Sequence, residues 1–110
     1  MTELDASLPD SGASSSVRLG GIEIDRVTHA VSVDGKPVTL TAREYELLEY
    51  LAGRRGDLLT RAELISEVWG AEYNGGPRTV DIHVSRLRRK LGEALPLVTL
   101  RRSGYRVSGG

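Results

Sequence analysis

Four arginines and a lysine fall within the fourteen residues Arg78–Leu91, RTVDIHVSRLRRKL. An arginine presents a planar fork of donors that fits guanine O6/N7, or a pair of phosphate oxygens, in a bidentate way. The chemistry on offer is recognition of anions and base edges rather than bond-making. Laid on a helix at about 100° per residue, Val80, Val84, Leu87 and Leu91 fall within about 60° of one another. Arg78, Ile82, Ser85 and Arg89 take the opposite side, with Arg86 at its edge. That side is nearly free of acids, whereas a face that only keeps a helix soluble usually mixes Glu with Lys in supporting pairs. Ile82 has little reason to face water from the middle of it, but its methyl groups could touch a thymine methyl.

Rival chemistries find little support. His29 and His83 are the only histidines and the chain has no cysteine, so no ligand set suits a metal and no thiol nucleophile exists. Asp81, His83 and Ser85 alternate along one helix and point apart, which rules out a triad. Gly35-Lys36 lacks the remaining residues of a phosphate-binding loop. The expectation is a chain that is not an enzyme and has no cofactor or small-molecule substrate.

The elements that must position the basic helix can be read along the chain. Residues 1–16, rich in Ser, Asp, Ala and Gly, read as a flexible tail or linker. From Val17, the segments VRLG, IEID, HAVSV and KPVTL are strand-length and rich in β-branched residues. Asp34-Gly35 between two of them is a type I′ hairpin signal. Four strands in an antiparallel meander need a cover, and the following helix supplies one. There Thr41 and Glu44 form a capping box, and Tyr45, Leu47, Leu48, Leu51 and Ala52 make the apolar stripe up to Gly53 or Gly56. Leu58-Leu59-Thr60 is a short extended piece, and Thr60 caps a second helix whose face includes Leu64, Ile65, Val68 and Trp69 before Gly70. Pro77 suits the start of the third helix. Gly92 and Pro96 break the chain after Leu91, and LVTLRRSGYRV reads as two strands around a turn at Arg102 to Gly104.

The formal net charge is zero, but its distribution is lopsided. Residues 1–77 hold seven Lys/Arg against thirteen Asp/Glu, a net −6, while residues 78–110 hold eight against two, a net +6. Such asymmetry points to an anionic partner. Two consecutive helices, the second basic on its outer side, followed by a hairpin carrying Arg101 and Arg102, describe a helix-turn-helix with an appended wing.

TAREYELLEYLA, LISEVWG, RTVDIHVSRLRRKL and TLRRSGYRV together resemble the DNA-binding output domain of OmpR/PhoB-type two-component response regulators, over Val17 to Val107. The resemblance implies an α+β fold over residues 17–107: a winged helix-turn-helix with an N-terminal four-stranded antiparallel sheet, a three-helix core and a C-terminal hairpin wing over residues 97–107. It implies that the third helix enters the major groove of double-stranded DNA, with Arg78, Thr79, Ile82, His83, Ser85, Arg86, Arg88 and Arg89 facing it. Arg101 falls where the wing arginine approaches the minor groove, and Trp69 lies near the phosphate backbone. Residues 71–77 correspond to the loop linked with RNA polymerase contact, and binding to direct repeats as a head-to-tail dimer is the family habit.

Single residues keep alternatives. His83, about 70° from the seam's centre, is open between boundary packing and a DNA contact. Asp81 is read as orienting Arg78 or Arg88, or accepting from a cytosine amino group. Trp69 is read as core, with an indole N–H able to meet a phosphate. Tyr105 is read as wing packing. Arg102 stands where the family usually has glycine, which puts the wing turn in question and also offers a phosphate contact.

The sequence lacks a signal peptide or an apolar run long enough to span a bilayer, so a cytoplasmic protein with no membrane partner is expected. Sixteen residues ahead of Val17 are too few for a receiver domain. A detached effector domain and a stand-alone or differently fused regulator both remain open. So does a winged helix that binds an acidic protein instead of DNA.

Overall fold

The computed structural model describes residues 16–108. The tail expected over residues 1–16 lies outside the described residues except for Ser16, which already pairs with Asp25 in the first strand. Four strands, β1 (Ser16–Leu19), β2 (Ile22–Asp25), β3 (Val31–Val33) and β4 (Lys36–Val38), form an antiparallel meander in chain order. Alternation turns Ile22 and Ile24 inward, and Leu19 and Val31 join them in the core. Asp34 and Gly35 take φ of 50° and 85°, as a type I′ turn requires.

The third strand is shorter than HAVSV suggested, because the Asp25 side chain closes the preceding loop. Its carboxylate accepts from the Val27 and Thr28 backbone N–H groups at 2.9 and 3.2 Å. His29 then turns to φ 65° and stacks on Tyr45 with ring centroids 4.2 Å apart. A side chain that satisfies the backbone locally competes with the ladder, so the strand starts at Val31.

Helix α1 (Ala42–Ala52) begins at the expected capping box. Thr41 Oγ1 accepts from Glu44 N at 3.2 Å, and the Glu44 carboxylate accepts from Thr41 N at 2.9 Å. Tyr45, Leu47, Leu48, Leu51 and Ala52 are all buried, and Gly53 ends the helix. Thr60 caps helix α2 (Arg61–Leu64), accepting from Glu63 N at 3.0 Å. The same run then widens into a π-turn over Ile65–Trp69, closed by Gly70 N–H donating to Ile65 O at 2.8 Å. A single regular second helix was the expectation; its last five residues depart from it.

Helix α3 (Arg78–Leu91) follows Pro77, which needs no N–H partner at that position. Strands β5 (Leu97–Leu100) and β6 (Gly104–Val107) make the C-terminal hairpin. The turn falls at Arg101 to Ser103, one residue earlier than Arg102 to Gly104, and Gly104 opens β6. Gly104 cannot carry a side chain: at φ 144° a Cβ would lie 2.1 Å from Leu59 O. That closeness arises because Leu59 and Tyr105 exchange two backbone hydrogen bonds, of 2.8 and 2.9 Å, tying the hairpin to the segment before α2.

One apolar cluster joins sheet, helices and hairpin, from Leu19 and Ile22 through Leu48, Leu64 and Leu87 to Tyr105 and Val107. Each buried Leu, Ile or Val contributes about 1.5 to 3 kcal/mol relative to exposure. The architecture is the expected α+β winged helix-turn-helix, and α3 is held against α1 by this cluster.

Candidate nucleic-acid interface

The apolar seam of α3 is fully used. Val80, Val84, Leu87 and Leu91 are buried, which leaves the opposite side as outer surface. Arg78, Ser85, Arg86 and Arg89 are exposed there, and Ile82 keeps 44% of its surface open among them. Thr79 is half-buried at the helix start. Arg101 and Arg102 are exposed on the hairpin turn. Among the described residues, none of Arg78, Arg86, Arg89, Arg101 and Arg102 has an acidic partner within ion-pair distance. Five guanidinium groups therefore face solvent with their donors unassigned.

Arg88 departs from its expected place. Its guanidinium turns onto the hairpin and donates to Leu97 O at 3.0 Å and Thr99 Oγ1 at 2.9 Å, 5.9 Å from the centre of the Tyr105 ring. The projection explains why: Arg88 lies about 70° from the seam's centre, close enough to the packed side for β5 to claim it. Asp81 likewise has partners other than Arg78 and Arg88. It accepts from Arg61 Nε at 2.8 Å and from the Tyr105 hydroxyl. Burial by itself would raise the Asp81 carboxyl, but the hydrogen bonds from Tyr105 and Arg61 outweigh it and hold it below its ordinary value. Burial and the bond to Asp81 push the Tyr105 phenol up.

His83 packs. Nδ1 lies 2.9 Å from Thr79 O, so as the only possible donor of the pair it carries the proton, and the ring meets Trp69 edge-on with centroids 5.0 Å apart. Trp69 is only partly buried; the Arg43 guanidinium sits 5.5 Å from its ring centre and Tyr73 tilts against it at 6.3 Å. The cluster joins α1, the π-turn, the loop over residues 71–77 and α3. Its packing is the boundary role left open for His83.

At the wing, Arg102 adopts φ 64°, and Ser103 N–H donates to Leu100 O at 2.9 Å across the turn. The arginine thus takes the left-handed backbone that a glycine would occupy without strain. Its side chain borders an open groove of about 740 Å³, shared with Thr60, Ser66, Tyr73 and Pro77.

A structural link was not anticipated from sequence. Glu44 is 1% exposed and pairs with Lys90 Nζ at 2.7 Å, while Lys90 also donates to Thr39 O at 3.1 Å. Lys90 therefore fastens the end of α3 to the start of α1 while part of its side chain stays in solvent. The capping box was a legible signal for Glu44, but nothing local marks a partner 46 residues away. Among the described residues, no group of three or more His, Cys, Asp or Glu could hold a metal, and no helix is long and apolar enough to cross a membrane.

Residues 35–107 match the family described as "Transcriptional regulatory protein, C terminal". The Sensory transduction protein RegX3 of Mycolicibacterium smegmatis is 46% identical over 105 residues, which is 91% of this chain and 46% of that protein. The Phosphate regulon transcriptional regulatory protein PhoB of Pseudomonas aeruginosa is 38% identical over 94 residues, 84% of this chain and 41% of its own. This chain thus spans less than half the length of these relatives. The DNA-binding domain of Klebsiella pneumoniae RstA, solved in complex with the RstA box, superposes with a TM-score of 0.74 at 32% identity, covering 84% of this chain and 96% of that one. The DNA-binding domain of CpxR from E. coli gives a TM-score of 0.73 at 31% identity, covering 84% and 95%.

Proposed function

The chain belongs to the family of transcriptional regulatory protein C-terminal domains, and from that premise we propose that it binds double-stranded DNA sequence-specifically as the output domain of a two-component transcriptional regulator. One observation carries the reading. The outer face of α3 and the adjoining hairpin turn present five arginines with no acidic partner among the described residues, spaced around an exposed Ile82. A helix fits the major groove, and a basic hairpin beside it reaches the neighbouring backbone or minor groove. The solved relative in complex with its RstA box supports DNA as the partner.

In this reading Arg86 and Arg89 meet base edges or phosphates from α3, Ile82 meets a thymine methyl, and Ser85 and Thr79 add hydroxyl contacts. Arg78 anchors the helix start on a phosphate. Arg101 enters the minor groove and Arg102 takes the adjoining backbone. Trp69, held by Arg43 and His83, offers its indole N–H to a phosphate, while His83 acts by fixing Trp69. Pairing of two copies head to tail on direct repeats, and contact of loop 71–77 with RNA polymerase, complete the proposal. The protein works in the cytoplasm, where its DNA is.

Salt dependence of duplex binding is the test. With about five phosphates neutralised, log K against log salt should fall with a slope near −4.5, measured by fluorescence anisotropy on duplexes selected from a random pool. Binding that is insensitive to salt would sink the DNA reading in favour of another partner.

A further inference from the structure

Helix α3 carries two half-buried polar residues at the edge of its packed side, Asp81 and Arg88, seven residues or about two turns apart where the helix meets the hairpin. Asp81 holds β6 through the Tyr105 hydroxyl and holds the start of α2 through Arg61. Arg88 holds β5 through Leu97 O and Thr99 Oγ1. Tyr105 lies between them, 3% exposed, with Arg61 5.2 Å and Arg88 5.9 Å from its ring centre. Both strands of the hairpin are thus tied to one face of one helix by directional, charge-assisted bonds. The Leu59–Tyr105 backbone bonds fix β6 to the segment before α2, and the side-chain bonds from Asp81 and Arg88 add two points, separated along α3, that fix the tilt of the hairpin against that helix.

We propose that Asp81, Arg88 and Tyr105 form a two-point clamp that sets the angle of the wing against the recognition helix, making Arg88 a positioning residue rather than a DNA contact. The idea rests on the DNA-binding reading above. Its consequence is that the wing contact and the helix contact are coupled: Arg101 contributes fully only while the clamp holds the turn where the minor groove lies. Both bonds to β5 come from one terminal nitrogen of Arg88, which fixes the guanidinium against the hairpin instead of leaving it to swing outward.

Salt titrations and a double-mutant cycle on one duplex, selected from a random pool by the parent protein, test the clamp. Arg88→Met keeps the aliphatic stem and Tyr105→Phe keeps the ring, so both variants are expected to fold, which thermal melting checks. Each should weaken binding roughly tenfold. In a background that already carries Arg101→Ala and Arg102→Ala, Arg88→Met should leave the log–log salt slope unchanged, because the wing contacts it positions are already gone; a slope shallower by about 0.9 in that background would place Arg88 on the DNA and overturn the assignment. Arg101→Ala should cost roughly tenfold in the parent yet at most about twofold in the Tyr105→Phe background. Fully additive losses, or melting temperatures that fall while affinity per folded molecule is unchanged, would reduce the clamp to ordinary stability. A parent protein without salt-dependent duplex binding would instead remove the functional reading itself, and the clamp with it.

Discussion

Helices α1 and α3 bury similar apolar stripes and both carry many charges outward, but the fate of those charges differs. On α1, Arg43 pairs with Glu46 and Glu49 with Arg26, each at 3.1 Å, Arg54 lies over the Tyr50 ring, and Glu44 is locked to Lys90. On α3, Arg78, Arg86 and Arg89 have no such partners among the described residues. A count gives four charged residues on α1 and six on α3, but it does not say which of them are satisfied. Pairing separates them: charges satisfied within the fold hold or cover it, while unsatisfied ones of a single sign raise a potential that a polyanion can use.

The largest effect that would sharpen this contrast comes from Glu44. Glu44→Ala removes the capping box and strands Lys90 near a buried site, and should cost about 2 to 4 kcal/mol in urea unfolding, while the folded fraction binds duplex as before. Burial alone would raise the Glu44 carboxyl, but the bonds from Lys90 and Thr41 outweigh it and keep it below its ordinary value. A depressed folded-state value means the contribution is complete above the unfolded value and is lost as pH falls through the folded one. Acid titrations of unfolding should therefore show a shallower acid limb in the variant than in the parent. If the two limbs coincide, the Glu44–Lys90 pair does not couple to folding.

Next in size is Arg86→Ala, the converse case. Duplex affinity should drop by about 1 to 3 kcal/mol with relaxed specificity, while unfolding moves by no more than about 0.5 kcal/mol. Equal losses on selected and random duplexes would make Arg86 a phosphate anchor instead of a base reader. At the wing, Arg102→Gly relieves a left-handed arginine and should stabilise the fold by about 0.5 to 1 kcal/mol, yet make the salt slope shallower by about 0.9. An unchanged slope would mean Arg102 touches no phosphate. Smallest is Arg26→Ala on the α1 side, where losing an exposed pair should cost under about 1 kcal/mol and leave duplex binding alone. Any sizeable loss of affinity there would break the contrast between the two faces.

How much was legible follows from the range of the interactions. The Val80, Val84, Leu87, Leu91 seam, the Thr41–Glu44 box and the Asp34-Gly35 turn were all readable, because each depends on residues within about four positions of one another. Ile82 was correctly placed outside for the same reason. Arg88, Asp81 and His83 lie between the seam and the outer face, where a projection gives an angle but not the neighbour that competes for the side chain. β5 claimed Arg88, Arg61 and Tyr105 claimed Asp81, and Trp69 claimed His83. Asp25 shortened β3 through a side-chain turn that the alternation pattern could not anticipate. The order of elements was legible from the same local signals, and the family resemblance supplied the groove assignments, which periodicity could not reach.

By itself, then, the sequence determined which helix is two-faced, where the turns and caps fall, and that the positive charge gathers beyond residue 77. These are set by spacing along the chain and by the φ that a residue tolerates. Only the tertiary structure decided which of those charges are free. An ion pair or hydrogen bond needs its partners within a few ångströms, and Glu44 with Lys90, or Asp81 with Tyr105, meet only once the helices and hairpin have packed.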